Sequence, residues 1–475
     1  MSTFGGLDTA YTGLTAAQQA LDVTGQNITN AGTQGYTRQR LQVTSAPAPA
    51  LVGPATLGSA QPGQGVIVTG VERLTDELVN ARVRSATAAS ASATTQSATL
   101  TTLEDSFNEP SNNGLSAQFQ KFWSSWQDLS NTPSDASAGQ SVIATGQALV
   151  QQIATGYSNA ADQWSQLRGQ VDSFADQVNI AADQIAKLNS VIQQTIASGG
   201  SANELKDQRD LLTTQVAQLA GGTVTPNADG TVNVLLDGNL LVDSVTANHV
   251  QAIGAGDVSG ASGSPVQLQW ASSGQVIGID SGQIAGALAL LAPANGAGTG
   301  GALAETAAGY NNLANQLAGQ VNGIVTTGQT NTGALAGAFF AIDPTRPAAV
   351  GLSVAITSGT QIGTAAAGAL SYDGSLADRV SQIGASAASP DAQWSQLVAK
   401  VATASQSASR LETLTSSTLT SATAVQASNS SVSTDQEGID MVTEQAAYQA
   451  AARVMTTVDQ LLDTLINHTG VVGIA

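Results

Sequence analysis

The chain has 475 residues, 34 of them acidic and 15 basic, for a formal net charge of −19. With an isoelectric point near 4.2 and no Lys/Arg cluster, a nucleic-acid partner is excluded from the expected functions, because such binding needs cations that release counterions. Two histidines and no cysteine rule out Cys-based zinc sites, iron–sulfur clusters and thiol catalysis, so no cofactor and no metal are expected.

The N-terminus has no basic run followed by an apolar core, so a cleaved Sec-type signal is not expected and any export uses another route. The first predicted element is an amphipathic helix. Phe4, Leu7, Tyr11, Leu14, Gln18, Leu21, Gly25 and Ile28 recur at steps of three and four, a heptad seam with weak points at Gln18 and Gly25. Asn30, Gly32 and Gly35 end it, since Gly and Asn tolerate the left-handed conformation of a helix C-cap. The Pro/Gly/Ala-rich stretch 46–65 reads as part of an extended linker. Residues 71–107 read as a helix rich in Ala, Ser and Thr, with weak patterning.

Phe119, Phe122, Trp123 and Trp126 form the densest aromatic cluster, at helical spacing, and core packing outweighs a carbohydrate- or partner-binding patch. The cleanest heptad runs through Trp164, Leu167, Val171, Phe174, Val178, Ala181, Ile185, Leu188 and Ile192. Gly199 and Gly200 stop it. Ser201 with Glu204 is the spacing of a capping box that would open a second helix through Leu212, Val216 and Leu219, an αα-hairpin over 164–220. The period then changes to two. Asp229-Gly230 and Asp237-Gly238 are hairpin turns between short apolar runs, and strand-like patterning continues through Trp270 to Ile279. A stretch near 333–372 carries further strand signals. The longest apolar run, near 284–294, is about half of the ~20 residues that a membrane span needs, and no membrane partner is expected.

Three features invite a chemical reading and lose to a plainer one. Gly296 to Gly301 satisfies GxGxxG but lacks the preceding strand and the later acid of a dinucleotide site. His249 and His468 have no neighbouring ligand residue in the sequence. Asp76/Glu77 and Glu104/Asp105 read as solvated charge on helix faces. Nothing makes an enzyme.

The last segment mirrors the first. From 438 to 467 one seam contains Met441, Tyr448, Ala452, Met455, Leu462 and Ile466, and a second contains Ala447, Ala451, Val454, Val458, Leu461 and Leu465. A face that wide calls for more than one neighbouring helix. An isolated helix of this length is marginal in water, so either the two ends pair within one molecule or they fold as many copies pack. The wide face favours the second. The predicted fold is mainly α with an inserted β domain. Terminal coiled-coil helices over 1–35 and 435–475 form a rod, 36–69 is an extended linker, and 70–220 with 373–434 make a helical body. A β-rich outer domain over 221–372 carries a helical segment near 300–325.

The run Asn27 to Gln39 (NITNAGTQGYTRQ) resembles the N-terminal signature of bacterial flagellar axial proteins, which include rod, hook and hook-associated proteins. Tyr36, Thr37, Arg38 and Gln39 resemble most the hook-associated class of the hook–filament junction. Here Asn27 and Asn30 can bond backbone groups as the helix ends, Gly35 permits a tight turn, and Tyr36 packs the chain back onto the rod; Gln34 stands where the family commonly has proline. Phe107 to Ser111, Phe122 to Ser130, Leu205 to Leu212, Gln445 to Val454 and Asp463 to Asn467 are also similar to that class.

The resemblance implies a secreted structural subunit, exported by the flagellar type III apparatus and located in the bacterial flagellum. It further implies a ring of copies between hook protein and a second junction protein or filament subunits, and an export chaperone on the C-terminal helix. The implied assembly interface is Phe4, Leu7, Tyr11, Leu14, Leu21, Asn27, Ile28, Asn30, Gly35 and Tyr36 at one end, with Tyr448, Val454, Val458, Leu461 and Leu465 at the other. The rival readings are another axial protein, such as hook protein or a flagellin, and a secreted helical adhesin.

Overall fold

The computed structural model describes residues 3–47, 63–370 and 372–468. The first helix, α1 (Thr3–Asn30), is followed by strands β1 (Gln39–Ser45) and β2 (Val66–Arg73), which form an antiparallel ribbon. Here the structure departs from the linker expected over 36–69: its two ends pair, with Leu41 opposite Val71 and Val43 opposite Val68 on either side of a register shift between Gln42 and Val43. The middle of that linker, 48–62, lies outside the described residues.

Helices α2 (Glu77–Ser106), α3 (Leu115–Asn131), α4 (Ala136–Ala197) and α5 (Asn203–Ala220) build the body. With 62 residues, α4 is about 93 Å long at ~1.5 Å per residue and is its spine. It begins well before the heptad at Trp164, capped by the Asp135 carboxylate on the Ser137 amide. The predicted aromatic cluster is core. Phe119, Phe122 and Trp126 are fully buried, and Phe339 and Phe340 from far along the chain pack against Phe122 and Trp126 at ring distances of 5.3–5.9 Å. Phe122→Ala removes a ring that touches four others and should cost about 3–5 kcal/mol, read as a lower denaturant midpoint at unchanged slope.

The expected β region follows. Strands β3 (Thr223–Pro226), β4 (Val232–Leu236), β5 (Asn239–Asp243) and β6 (Thr246–Ala247) form one antiparallel sheet, and β7 (Val250–Ile253), β8 (Gln267–Trp270) and β9 (Val276–Ile277) form another. Asp237 and Gly238 both take positive φ (48° and 73°), the geometry of a tight two-residue hairpin turn. Two asparagines on α4 hold the sheets down by imitating a neighbouring strand. Asn189 exchanges hydrogen bonds with the backbone N–H and C=O of Val232, and Asn179 does the same for Val250.

The β insertion is shorter than the expected 221–372. Past Ile277 the chain returns to the helical body through α6 (Gly282–Leu291) and α7 (Ala302–Val325). The apolar run near 284–294 is largely α6, buried against α2, α4, α5 and α7. The strand signals within 333–372 do not join the β region. β10 (Gly328–Thr330) pairs with β13 (Gly363–Ala366), and β11 (Phe340–Ile342) pairs with β12 (Leu352–Val354), beside the one-turn helix α8 (Ala348–Gly351). Phe339 and Phe340 draw this part into the aromatic core.

After α9 (Ser375–Ser381), helix α10 (Pro390–Ser430) leaves the body alongside α2. Its first turns bury Trp394 and Val401 in the main core, whereas its far end packs Ala422 on Val83 and Ala86 in a separate small cluster. The α2–α10 pair is thus a stalk. Beyond it comes the last helix, α11 (Thr434–Asp463), which packs antiparallel on α1. Of the two arrangements left open for the termini, pairing within one chain is observed, against the one favoured from the width of the C-terminal face. The reason lies in the contact seam, which is made of small residues.

Candidate functional site

On α1, Gly6, Gly13 and Asn27 meet α11, and the steps of three and four between them run through Ala10, Ala17, Ala20 and Thr24, a heptad offset by one position from the predicted large-residue seam. A Cβ added at Gly6 would lie 3.8 Å from Val458, and one at Gly13 would lie 4.0 Å from Ala451, so the backbones approach closely. Leu7, Leu14, Leu21 and Ile28 are left half-buried beside this seam, and Tyr11 is 61% exposed. On α11 the predicted residues divide. Val458 faces α1 and is half-buried, whereas Tyr448, Val454 and Leu461 are exposed. Phe4 and Leu465 belong to helical backbone, but their side chains lie outside the described residues, as does that of His468. Ile439, Val442 and Ile466 add to the exposed apolar surface, and Glu437 is the one fully buried side chain described on α11.

At one end of this pair the chain turns from α1 into the ribbon. Asn27 is 2% exposed and meets three segments. Its Nδ2 donates to the Gln39 carbonyl and to Glu437 Oε2, each at 2.9 Å, while its Oδ1 accepts from the Gln39 amide at 3.0 Å and the Tyr36 hydroxyl at 2.9 Å. Asn30 closes the helix end locally, donating to the Gln26 carbonyl and accepting from the Thr33 hydroxyl. Gly35 has φ +79° and sits so close to Leu211 that an added Cβ would come within 2.7 Å of it. Both facts require glycine there.

Arg38 continues the joint. Its Nε donates to Glu437 Oε1 at 2.6 Å and a terminal nitrogen reaches Asp440 at 3.0 Å, while its backbone N–H donates to the Ser430 carbonyl at the end of α10. The Thr37 amide donates to Asp207, which with Asp210 holds Arg73 at 2.7 Å. Gln39 Nε2 donates to Glu204, and Asn203 donates to Gln39 Oε1. The expected Ser201–Glu204 capping box therefore does not form: α5 begins without a side-chain cap, and the Glu204 carboxylate is engaged by Gln39.

Burial, then the charges of Glu204, Asp207 and Glu437, push the Tyr36 hydroxyl up to about 12. It stays protonated and keeps donating to Asn27 across the physiological range. Burial also raises the Asp207 carboxyl, although Arg73 and the Thr37 hydrogen bonds pull the other way.

Residues 100–340 match the family described as the flagellar hook-associated protein FlgK helical domain, residues 7–37 the flagella basal body rod protein, and 425–468 the flagellar basal body rod FlgEFG protein C-terminal. Flagellar hook-associated protein 1 of Bacillus subtilis is 30% identical over 520 aligned residues, covering 99% of both chains. The chain belongs to the flagellar hook-associated protein 1 family. The namesake from Escherichia coli is 32% identical over 251 residues, 52% of this chain and 44% of that one. A solved structure titled as the flagellar hook junction protein FlgK from Burkholderia pseudomallei superposes with a TM-score of 0.61 at 16% identity, covering 72% of this chain and 99% of that one. That likeness establishes the fold: mainly α with small antiparallel sheets. Membership makes the chain a structural protein of the bacterial flagellum that assembles with other flagellar proteins, and hook-associated protein 1 is the specific class that the Tyr36–Gln39 run resembled.

Of the residues that form the joint, the sequence reading missed Glu437, Asp440, Asn203, Glu204, Asp207 and Arg73. One signal was available for Glu437. The seven-residue steps Val458, Ala451, Glu444 and Glu437 continue the C-terminal seam into acid, and an acid on a seam needs a partner.

Proposed function

We propose that this chain forms a one-layer ring at the hook–filament junction, exported by the flagellar type III apparatus and held together by its terminal helix pair. One face of the ring meets hook protein, and the other presents a platform to a second junction protein or to filament subunits. The observation that carries the reading is the half-covered rod. Leu7, Leu14 and Leu21 flank the internal seam on α1, and Val442, Val454 and Leu461 stand exposed on α11, so each pair keeps apolar surface for the pair of a neighbouring copy. The same exposed C-terminal helix is the surface that an export chaperone would cover before assembly.

Deleting the gene tests this. The basal body and hook should form, while filament subunits are exported and leak into the medium for want of a platform. Restoring residues 1–475 should recover filaments, and restoring a chain that lacks 440–475 should not. Normal filaments in the deletion strain would overturn the junction assignment.

A further inference from the structure

The α1–α11 pair repeats itself. Gly6 lies at Val458, Gly13 at Ala451 and Asn27 at Glu437, so each seven-residue step up α1 matches a seven-residue step down α11. The same steps set Ala20 opposite Glu444. Glycine and alanine at successive layers give little shape by which one register could be told from the next. What differs between layers is polar. Glu437 is 1% exposed and receives two donors, Asn27 Nδ2 at 2.9 Å and Arg38 Nε at 2.6 Å.

We propose that Glu437 sets the register of the terminal rod, and that Glu444, one heptad further along, takes its place when α11 slides by seven residues. In the slid register Glu444 meets Asn27 and Arg38, Ala451 lies opposite Ala20, and Val458 lies opposite Gly13. Each pairing stays chemically sound. The slide feeds residues into the short connection after Ser430, so it produces slack and no tension. A slide in the other sense would set Ser430 at Asn27 and is blocked by α10. The resting register is favoured because Arg38 also reaches Asp440 there, whereas Ala447 would occupy that position after the slide. Burial and the neighbouring Asp440 raise the Glu444 carboxyl, as expected for an acid held on the seam opposite an alanine. The consequence is a rod with two discrete lengths of overlap, about 10 Å apart at ~1.5 Å per residue, in a protein that must join two different lattices.

The chain has no cysteine, so register can be read by disulfide formation alone. The 4.0 Å Cβ separation of positions 13 and 451 suits a disulfide. Dilute monomer carrying Gly13→Cys with Ala451→Cys should crosslink, and Gly13→Cys with Val458→Cys should not. Adding Glu437→Ala should cut the 13–451 product by roughly tenfold, the factor for losing about 1.4 kcal/mol, while the 13–458 product rises. Adding Glu444→Ala as well should remove that rise. Tryptophan fluorescence checks the body, since Trp123, Trp126, Trp164, Trp270 and Trp394 all lie outside the two terminal helices. Three outcomes overturn the proposal: 13–451 persisting as the product in Glu437→Ala, a 13–458 gain that survives loss of Glu444, and loss of both crosslinks with the body intact. The last would mean that Glu437 holds the rod together without choosing its register.

Discussion

Leu14→Asp should leave a folded monomer that no longer assembles. Leu14 is half-buried beside the internal seam and does not fill it, so the α1–α11 pair survives the change. Packing against a neighbouring copy would bury the new carboxylate without a partner, at a cost of several kcal/mol for each contact. Each 1.4 kcal/mol is a factor of ten in the association constant, so assembly should fall by at least about a hundredfold per interface. Val458→Asp acts at a different level. Val458 faces Gly6 within the same chain, so aspartate there should open the rod in the monomer as well as block assembly. The two variants are separated by circular dichroism of the monomer, which should lose helix for Val458→Asp only, and both by electron microscopy of assemblies. Wild-type assembly by Leu14→Asp would show that this face of the rod is not the contact.

The two variants also show where a heptad pattern informs and where it misleads. Phe4 to Ile28 and Met441 to Ile466 were legible as long amphipathic helices because large apolar side chains dominate any reading of periodicity. The internal seam went unseen for the same reason. Gly6, Ala10, Gly13 and Ala17 carry almost no hydrophobic signal, yet small side chains are what permit close helix approach. The aromatic core at Phe119 to Trp126, the αα-hairpin turning at Gly199 and the Asp237-Gly238 turn were legible because each depends on local spacing. The joint was only half legible. Asn27, Gly35 and Tyr36 lie within ten residues of one another, and the turn could be reasoned from that run alone. Glu437, Asp207 and Arg73 come from 34 to 410 residues away from the motif they complete, and a charged residue on a helix reads as solvated until its partner is known. The same limit let Phe339 and Phe340 go unrecognised as core.

Asn27→Ala should release the terminal pair from the body while the body stays folded. One side chain here satisfies the Gln39 amide, the Gln39 carbonyl, the Tyr36 hydroxyl and a Glu437 oxygen. Alanine leaves all four short of a partner. If they remained buried, each would cost about 1–3 kcal/mol, so the cheaper response is local opening that lets water in. Tyr36→Phe removes one donor and leaves Asn27 Oδ1 still bonded to the Gln39 amide, a loss of about 1 kcal/mol. Asn27→Asp keeps the acceptor for Tyr36 and Gln39 but sets a carboxylate against Glu437, where Asn27 had donated. Like charges in that pocket make it the worst of the three. The expected order of damage is Asn27→Asp, then Asn27→Ala, then Tyr36→Phe. Amide exchange of residues 31–39 should accelerate in that order, with Trp fluorescence unchanged throughout. Equal exchange in all three variants would mean that the turn is held by Arg38 and Gly35 alone, and that Asn27 is a bystander in its own motif.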